Sequence, residues 1–159
     1  MSNPRQIAFE ALMKTVRDGA FSNLAIDGVL SKTNLDTRDK SFVSNLFYGV
    51  IERQITLDAI IDSLCDRKSE DISPDVRTLL RLGIYQLAYL DRVPDHAAVN
   101  ETVNMAPKRS RGFVNAIMRE YLRRKQKGRL SELFPDEDAD PVGYLSVYYS
   151  FPRDVCERF

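Results

Sequence analysis

The chain has 159 residues and no formal net charge, with 43% apolar and 29% charged residues and only 7 glycines and 7 prolines. Such a length suits one domain, or one domain with a tail, and the scarcity of glycine and proline predicts long helices rather than a sheet with many tight turns. The longest apolar runs, such as residues 57–64, are broken by Asp58 and Asp62, so nothing approaches the roughly 18 to 20 apolar residues of a membrane span, and Pro4, Arg5 and Glu10 interrupt any signal-peptide core; a cytoplasmic protein is expected.

In chain order, Asn3-Pro4 predicts a helix start, with Asn3 as cap and Pro4 at the first helical position. Ile7, Ala8, Ala11, Leu12 and Val16 then recur at helical spacing, and Gly19 closes the helix. Ser22 is expected to cap a second, short helix with Ala25, Ile26, Val29 and Leu30 inward. Asp36 or Thr37 caps a third, whose apolar face is Phe42, Val43, Leu46, Phe47 and Val50. Gly49 lies inside it, where a neighbouring helix can approach closely. A break is expected near residues 54–56, followed by a fresh stripe of Leu57, Ile60, Ile61 and Leu64.

Residues 66–73, DRKSEDIS, read as a polar connector between two helical lobes of about 1–68 and 69–129. Ser73-Pro74 opens a helix that is apolar nearly all round, from Val76 to Leu90, which predicts a central buried position. Pro94-Asp95 starts the next, with Ala97, Ala98, Val99 and Val103 inside and its end before Pro107. The last strong helix is expected over residues 110–126. No stretch alternates with period two, so the fold class is all-α. Residues 130–159 carry three of the prolines, the acidic run Asp136-Glu137-Asp138 and the aromatic run YLSVYYSFP; they read as a linker and the start of a further domain.

Enzyme signatures fail. His96 is the one histidine and reads as an exposed or capping residue at a helix start. Glycine-rich phosphate loops, paired-cysteine zinc sites and nucleophile elbows are all missing from the pattern. Cys65 and Cys156 read as reduced thiols, and Asp58 and Asp62, four apart, as a solvated helix face. The chain is expected to be non-catalytic, with no cofactor and no metal of its own.

The strongest signal is charge asymmetry. Residues 108–129 hold nine basic residues and one acid, Glu120, so this segment carries +8 against −8 elsewhere. On a helix, Phe113, Val114, Ile117, Met118 and Tyr121 form an apolar stripe, while Asn115, Arg119 and Arg123 fall at successive i, i+4 positions on the other side, about 6 Å apart. Arg111 precedes them, Lys108 and Arg109 lie in the loop before, and Arg124 follows. Rows of planar, always-charged donors suit phosphate oxygens, so these residues predict a nucleic-acid surface. Asn100 and Asn115 offer RNA contacts as one reading, but the stronger expectation is that they are buried and hydrogen-bond between helices; Gly112 is expected to need a conformation that a branched side chain resists.

The segments NPRQIAFEAL, DKSFVSNLFYGVIERQITLDAII, VRTLLRLGIYQLAYLDRVPDHAAVNETV and GFVNAIMR, in this order over roughly residues 4–124, resemble the NusB family of helical RNA-binding domains. They are closest in pattern to the NusB-like N-terminal domain of bacterial small-subunit ribosomal RNA cytosine-C5 methyltransferases of the Sun/RsmB type. The resemblance implies a two-lobed all-helical RNA-binding domain over residues 1–129 that helps to dock ribosomal RNA. It also implies a following catalytic domain using S-adenosylmethionine and a cysteine nucleophile, with which the helical domain is expected to make contact. Cys156 does not match the catalytic motif, and the nucleophile is not assigned to it. Arg5 corresponds to the arginine that in the NusB family precedes the first helix and contributes to RNA binding. The alternatives are a stand-alone NusB-like transcription antitermination factor with RNA and protein partners, and a protein-interaction scaffold whose basic face meets an acidic partner.

Overall fold

The computed structural model describes residues 3–19, 22–65, 71–150 and 153–157. The described residues form helices and single 3-10 turns, with no strand among them: α1 (Pro4–Asp18), α2 (Ser22–Leu30), α3 (Thr37–Glu52), α4 (Gln54–Leu64), α5 (Pro74–Tyr89), α6 (Asp95–Met105), α7 (Arg111–Gln126), α8 (Pro141–Tyr149) and α9 (Arg153–Cys156). None is long and apolar enough to cross a membrane.

Local chemistry sets the helix ends. The Asn3 side chain accepts the Arg5 amide at 3.0 Å and Pro4 opens α1; Gly19, at φ 58°, closes it by donating to the Thr15 carbonyl at 3.1 Å. Asp36 caps α3 through the Asp39 amide at 2.8 Å. The break between α3 and α4 falls at Arg53, so helix resumes at Gln54, slightly earlier than the sequence suggests. The second helix begins at Ser22 itself, and the residue before it lies outside the described residues, as do residues 66–70 of the expected connector. Val16, counted with the apolar face of α1, is 46% exposed.

The helix α5 is the shared wall of the two lobes. It packs on α1, α3 and α4 on one side and on α6 and α7 on the other, and Leu79, Leu80, Leu82, Ile84 and Leu87 are all buried. The lobes therefore share one continuous apolar core, running from Ile7 of α1 to Tyr121 of α7. Two glycines let helices come this close. A Cβ on Gly49 would lie 2.1 Å from the Tyr85 ring, and one on Gly83 would lie 2.6 Å from Met118 Cε.

Several expectations are corrected. Asp58 and Asp62 are not a solvated face: Arg77 donates to Asp58 at 3.1 Å and to Asp62 at 2.7 Å, and Arg81 grips Asp58 with two bonds of 2.7 and 2.9 Å. These pairs clamp α4 to α5, and the arginine side chains are nearly enclosed. Asn100 is exposed and Asn115 only half-buried, facing Arg119 rather than a neighbouring helix. Gly112 stands inside the first turn of α7, with nothing within 4 Å of where a Cβ would be. The residues after α7 also return to the bundle, the turn Leu130–Leu133 and α8 both packing on α4. Ser63 donates to the Leu133 carbonyl at 3.1 Å, and Thr56 Oγ1 donates to the Val147 carbonyl. The Ser150 hydroxyl accepts the Ile55 amide at 3.2 Å and lies 3.5 Å from that of Thr56. Since α4 has no side-chain cap of its own, the end of α8 supplies one.

Candidate nucleic-acid interface

The basic segment is organised by α7. Val114, Ile117, Met118 and Tyr121 are buried against α5 and α6, which turns the polar side of the helix to solvent over about 24 Å of rise. Burial, with the fields of Tyr89 and Asp95 adding to it, pushes the Tyr121 hydroxyl up to about 12.

The predicted residues separate into distinct roles. Lys108 and Arg109 sit exposed on a 3-10 turn, Lys108–Ser110, just before α7. Arg111 turns back instead: it donates to the Ala106 carbonyl at 3.1 Å and the Asn104 carbonyl at 3.2 Å. Those are the carbonyls at the end of α6, where orphan acceptors and the helix dipole favour a cation. Lys125 does the same for α5, donating to the Leu87 carbonyl at 2.8 Å. Part of the positive charge thus closes two helices.

Arg119 and Arg123 lie exposed along α7 as predicted, with Arg119 steered by the Asn115 side chain at 3.0 Å. Arg123 and Arg124 both turn to Glu120, at 2.5 Å and 3.3 Å. Beyond the helix, Arg129 and Arg124 lie 3.8 and 3.9 Å from Glu132. The surface therefore presents Lys108 and Arg109 at one end, Arg119 in the middle, and a cluster of Arg123, Arg124, Lys127 and Arg129 at the other.

Arg5 is elsewhere. Its Nε donates to Gln86 Oε1 at 2.7 Å, and its guanidinium lies 5.3 Å from the centre of the Phe42 ring. Gln86 is wholly buried and donates to the Leu82 carbonyl, so Arg5 is tied into the core. Burial lowers the Arg5 pKa, and the Glu101 carboxylate opposes that shift. Arg5 borders a separate cleft of about 450 Å³ with Asp36, Arg38, Asp39, Phe42 and Arg92, and no residue of α7 lines it. Arg38 and Arg92 were missed from sequence because each is flanked by an acid, Asp39 or Asp91, and forms no charge run. What these surfaces offer chemically is cation donors for anionic oxygens.

Comparison with known proteins bears on the same helices. The chain is 38% identical to a probable ribosomal RNA small subunit methyltransferase B of Synechocystis sp., over all of this chain and 35% of that protein. It is 34% identical to the probable methyltransferase B of Bacillus subtilis, over 98% of this chain and 34% of that protein. Against ribosomal RNA small subunit methyltransferase B of Thermus thermophilus it is 33% identical, over 84% of this chain and 33% of that protein. The chain thus spans about a third of the length of these relatives. Among solved structures, a chain in the crystal structure of a plectonemic RNA supercoil superposes with a TM-score of 0.71, covering 77% of this chain and 94% of that one. At 20% identity that likeness speaks to the fold alone. The NusB family model matches residues 2–123, which takes in α1 through most of α7, and the chain belongs to the NusB family.

Proposed function

We infer that this chain is the RNA-docking domain of a cytoplasmic, S-adenosylmethionine-dependent methyltransferase that modifies a cytosine C5 of small-subunit ribosomal RNA. The observation that carries the reading is the one-sided α7: an apolar stripe seated in the core and an arginine side left to solvent, with Lys108 and Arg109 continuing it. The methyltransferase relatives support the enzyme context, and favour it over a stand-alone antitermination factor. In this reading Lys108, Arg109, Arg119, Arg123 and Arg124 meet phosphates directly. Arg111 orients the turn that carries Lys108 and Arg109, and Arg5 contributes through its own cleft.

In this reading cofactor and nucleophile are supplied by a methyltransferase domain outside the third of the relatives' length that this chain matches. Among the described residues, the glycines at positive φ, Gly19 and Gly128, each follow the end of a helix rather than build a loop that could cradle S-adenosylmethionine. The domain's task is to bind and orient RNA.

Binding should be mainly electrostatic. Each phosphate neutralised on a single strand adds about −0.7 to the slope of log affinity against log salt. The double variant Arg119→Ala, Arg123→Ala is expected to flatten that slope by roughly 1.4 and to weaken binding to different RNAs alike. Filter binding of small-subunit ribosomal RNA fragments at several salt concentrations measures this. A folded double variant with the wild-type slope would refute an RNA-facing α7.

A further inference from the structure

The basic cluster beyond the middle of α7 contains its own anions. Arg123, Arg124, Lys127 and Arg129 line a cleft of about 220 Å³ together with Glu120 and Glu132. Glu120 is the sole acid between Lys108 and Arg129, yet it stands where both neighbouring guanidinium groups reach it. Arg123 donates to one carboxylate oxygen through Nε at 2.9 Å and Nη2 at 2.5 Å; Arg124 donates to the other at 3.3 Å. Glu132, from the turn after α7, stands opposite Arg124 and Arg129. Arg123, Arg129 and Glu132 are more than half exposed, so the cleft is open to solvent. Hydrogen bonds from Arg123 and then Arg124 hold the Glu120 carboxyl below its ordinary range, so it is ionised near neutral pH.

A carboxylate and a phosphodiester present the same feature to a guanidinium fork: a pair of oxygens sharing negative charge. Exposed arginine–carboxylate pairs add little net stability because solvent screens them, so a phosphate can replace the carboxylate at little cost. The neighbouring cleft shares Glu120, Arg123 and Arg124 and is lined also by Leu64, Phe113, Ala116 and Ile117. It places apolar surface beside the cations, as an unpaired base next to its phosphate requires.

We propose that this cleft is a seat for a backbone phosphate of single-stranded RNA, and that Glu120 and Glu132 are placeholders that occupy its arginines in the free protein and cap its affinity. The proposal rests on the RNA-docking reading and adds to it a site and a brake. When RNA arrives, Arg123 and Arg124 exchange carboxylate oxygens for phosphate oxygens. The released carboxylates then take up solvent cations, which offsets part of the counterion release that drives binding.

The test is Glu120→Gln, Glu132→Gln and the double variant in the whole chain, with fluorescence anisotropy of a labelled single-stranded ribosomal RNA fragment across a salt series. The amides keep the side-chain shape and remove the charge. The double variant is expected to bind roughly three- to tenfold more tightly at low salt, with a salt slope steeper by up to about 0.7 per carboxylate removed. Thermal melting checks that the variants stay folded. Folded variants that bind no more tightly than a binding-competent wild type would overturn the placeholders and leave the docking reading standing. Failure of the wild type and the variants alike to bind RNA would overturn both. A gain for polyglutamate as large as the gain for RNA would make the occupant an acidic protein segment and overturn the phosphate seat.

Discussion

Gly49 and Gly112 share a residue type and differ in everything around them. At Gly49 the Tyr85 ring occupies the space of a Cβ, and the Tyr85 hydroxyl donates to Asn45 at 2.6 Å, which holds the ring in place. Gly49→Ala is therefore expected to lose about 1–3 kcal/mol through overpacking. At Gly112 the space is open and the backbone is helical, so Gly112→Ala should gain about 0.5–1 kcal/mol by reducing the freedom of the unfolded chain. Thermal melts of the two variants should move in opposite directions. The first of these roles was legible in the sequence, because Gly49 interrupts an apolar face. The second was misjudged, because a glycine at a helix start looks the same whether or not its conformation demands glycine.

Helices joined by charge show the same limit at the scale of elements. Asn3, Gly19 and Asp36 act on residues two to four positions away, so the ends of α1 and the start of α3 were readable from the chain alone. Asp58 finds Arg77 and Arg81, 19 and 23 residues on, and at that separation periodicity says nothing about partners. Glu120 was visible as the one acid among cations, but its grip on two arginines depends on side-chain rotamers. Asp58→Asn leaves two nearly enclosed guanidinium groups without their shared anion. Its cost is expected at about 1–3 kcal/mol, below that of a fully buried pair because Asp58 is 29% exposed. Denaturant melts at low and high salt check this: a partly enclosed pair is weakly screened, so most of the loss should persist at high salt.

Over the whole molecule, one core serves both lobes, so proton release from a buried group should be felt as global stability. Tyr121 is held neutral to about 12, against 10.0 for the free side chain. The unfolded chain releases this proton near pH 10 and the folded chain only near 12. The stabilisation from keeping Tyr121 neutral is thus complete below about pH 10 and is lost as pH rises from there to about 12. The loss should be on the order of 2 kcal/mol. Burial raises Tyr85 and Tyr89 in the same direction, so Tyr121→Phe should remove part of the alkaline decline and leave the rest. Denaturant unfolding of both proteins across that pH window measures the difference; identical declines would exclude Tyr121 as a contributor.

The Ser150 hydroxyl at the head of α4 ties the fold to the order of synthesis. The first turn of α4 emerges from the ribosome 95 residues before the group that satisfies its amides. At about 5–20 residues per second, that interval is roughly 5–20 s. Throughout it the opening turn of α4 depends on water for its hydrogen bonds, while α1 and α3, with caps from their own sequence neighbours, can close at once. The start of α4 is therefore sealed after the helices that flank it in sequence, by a residue made 95 positions later.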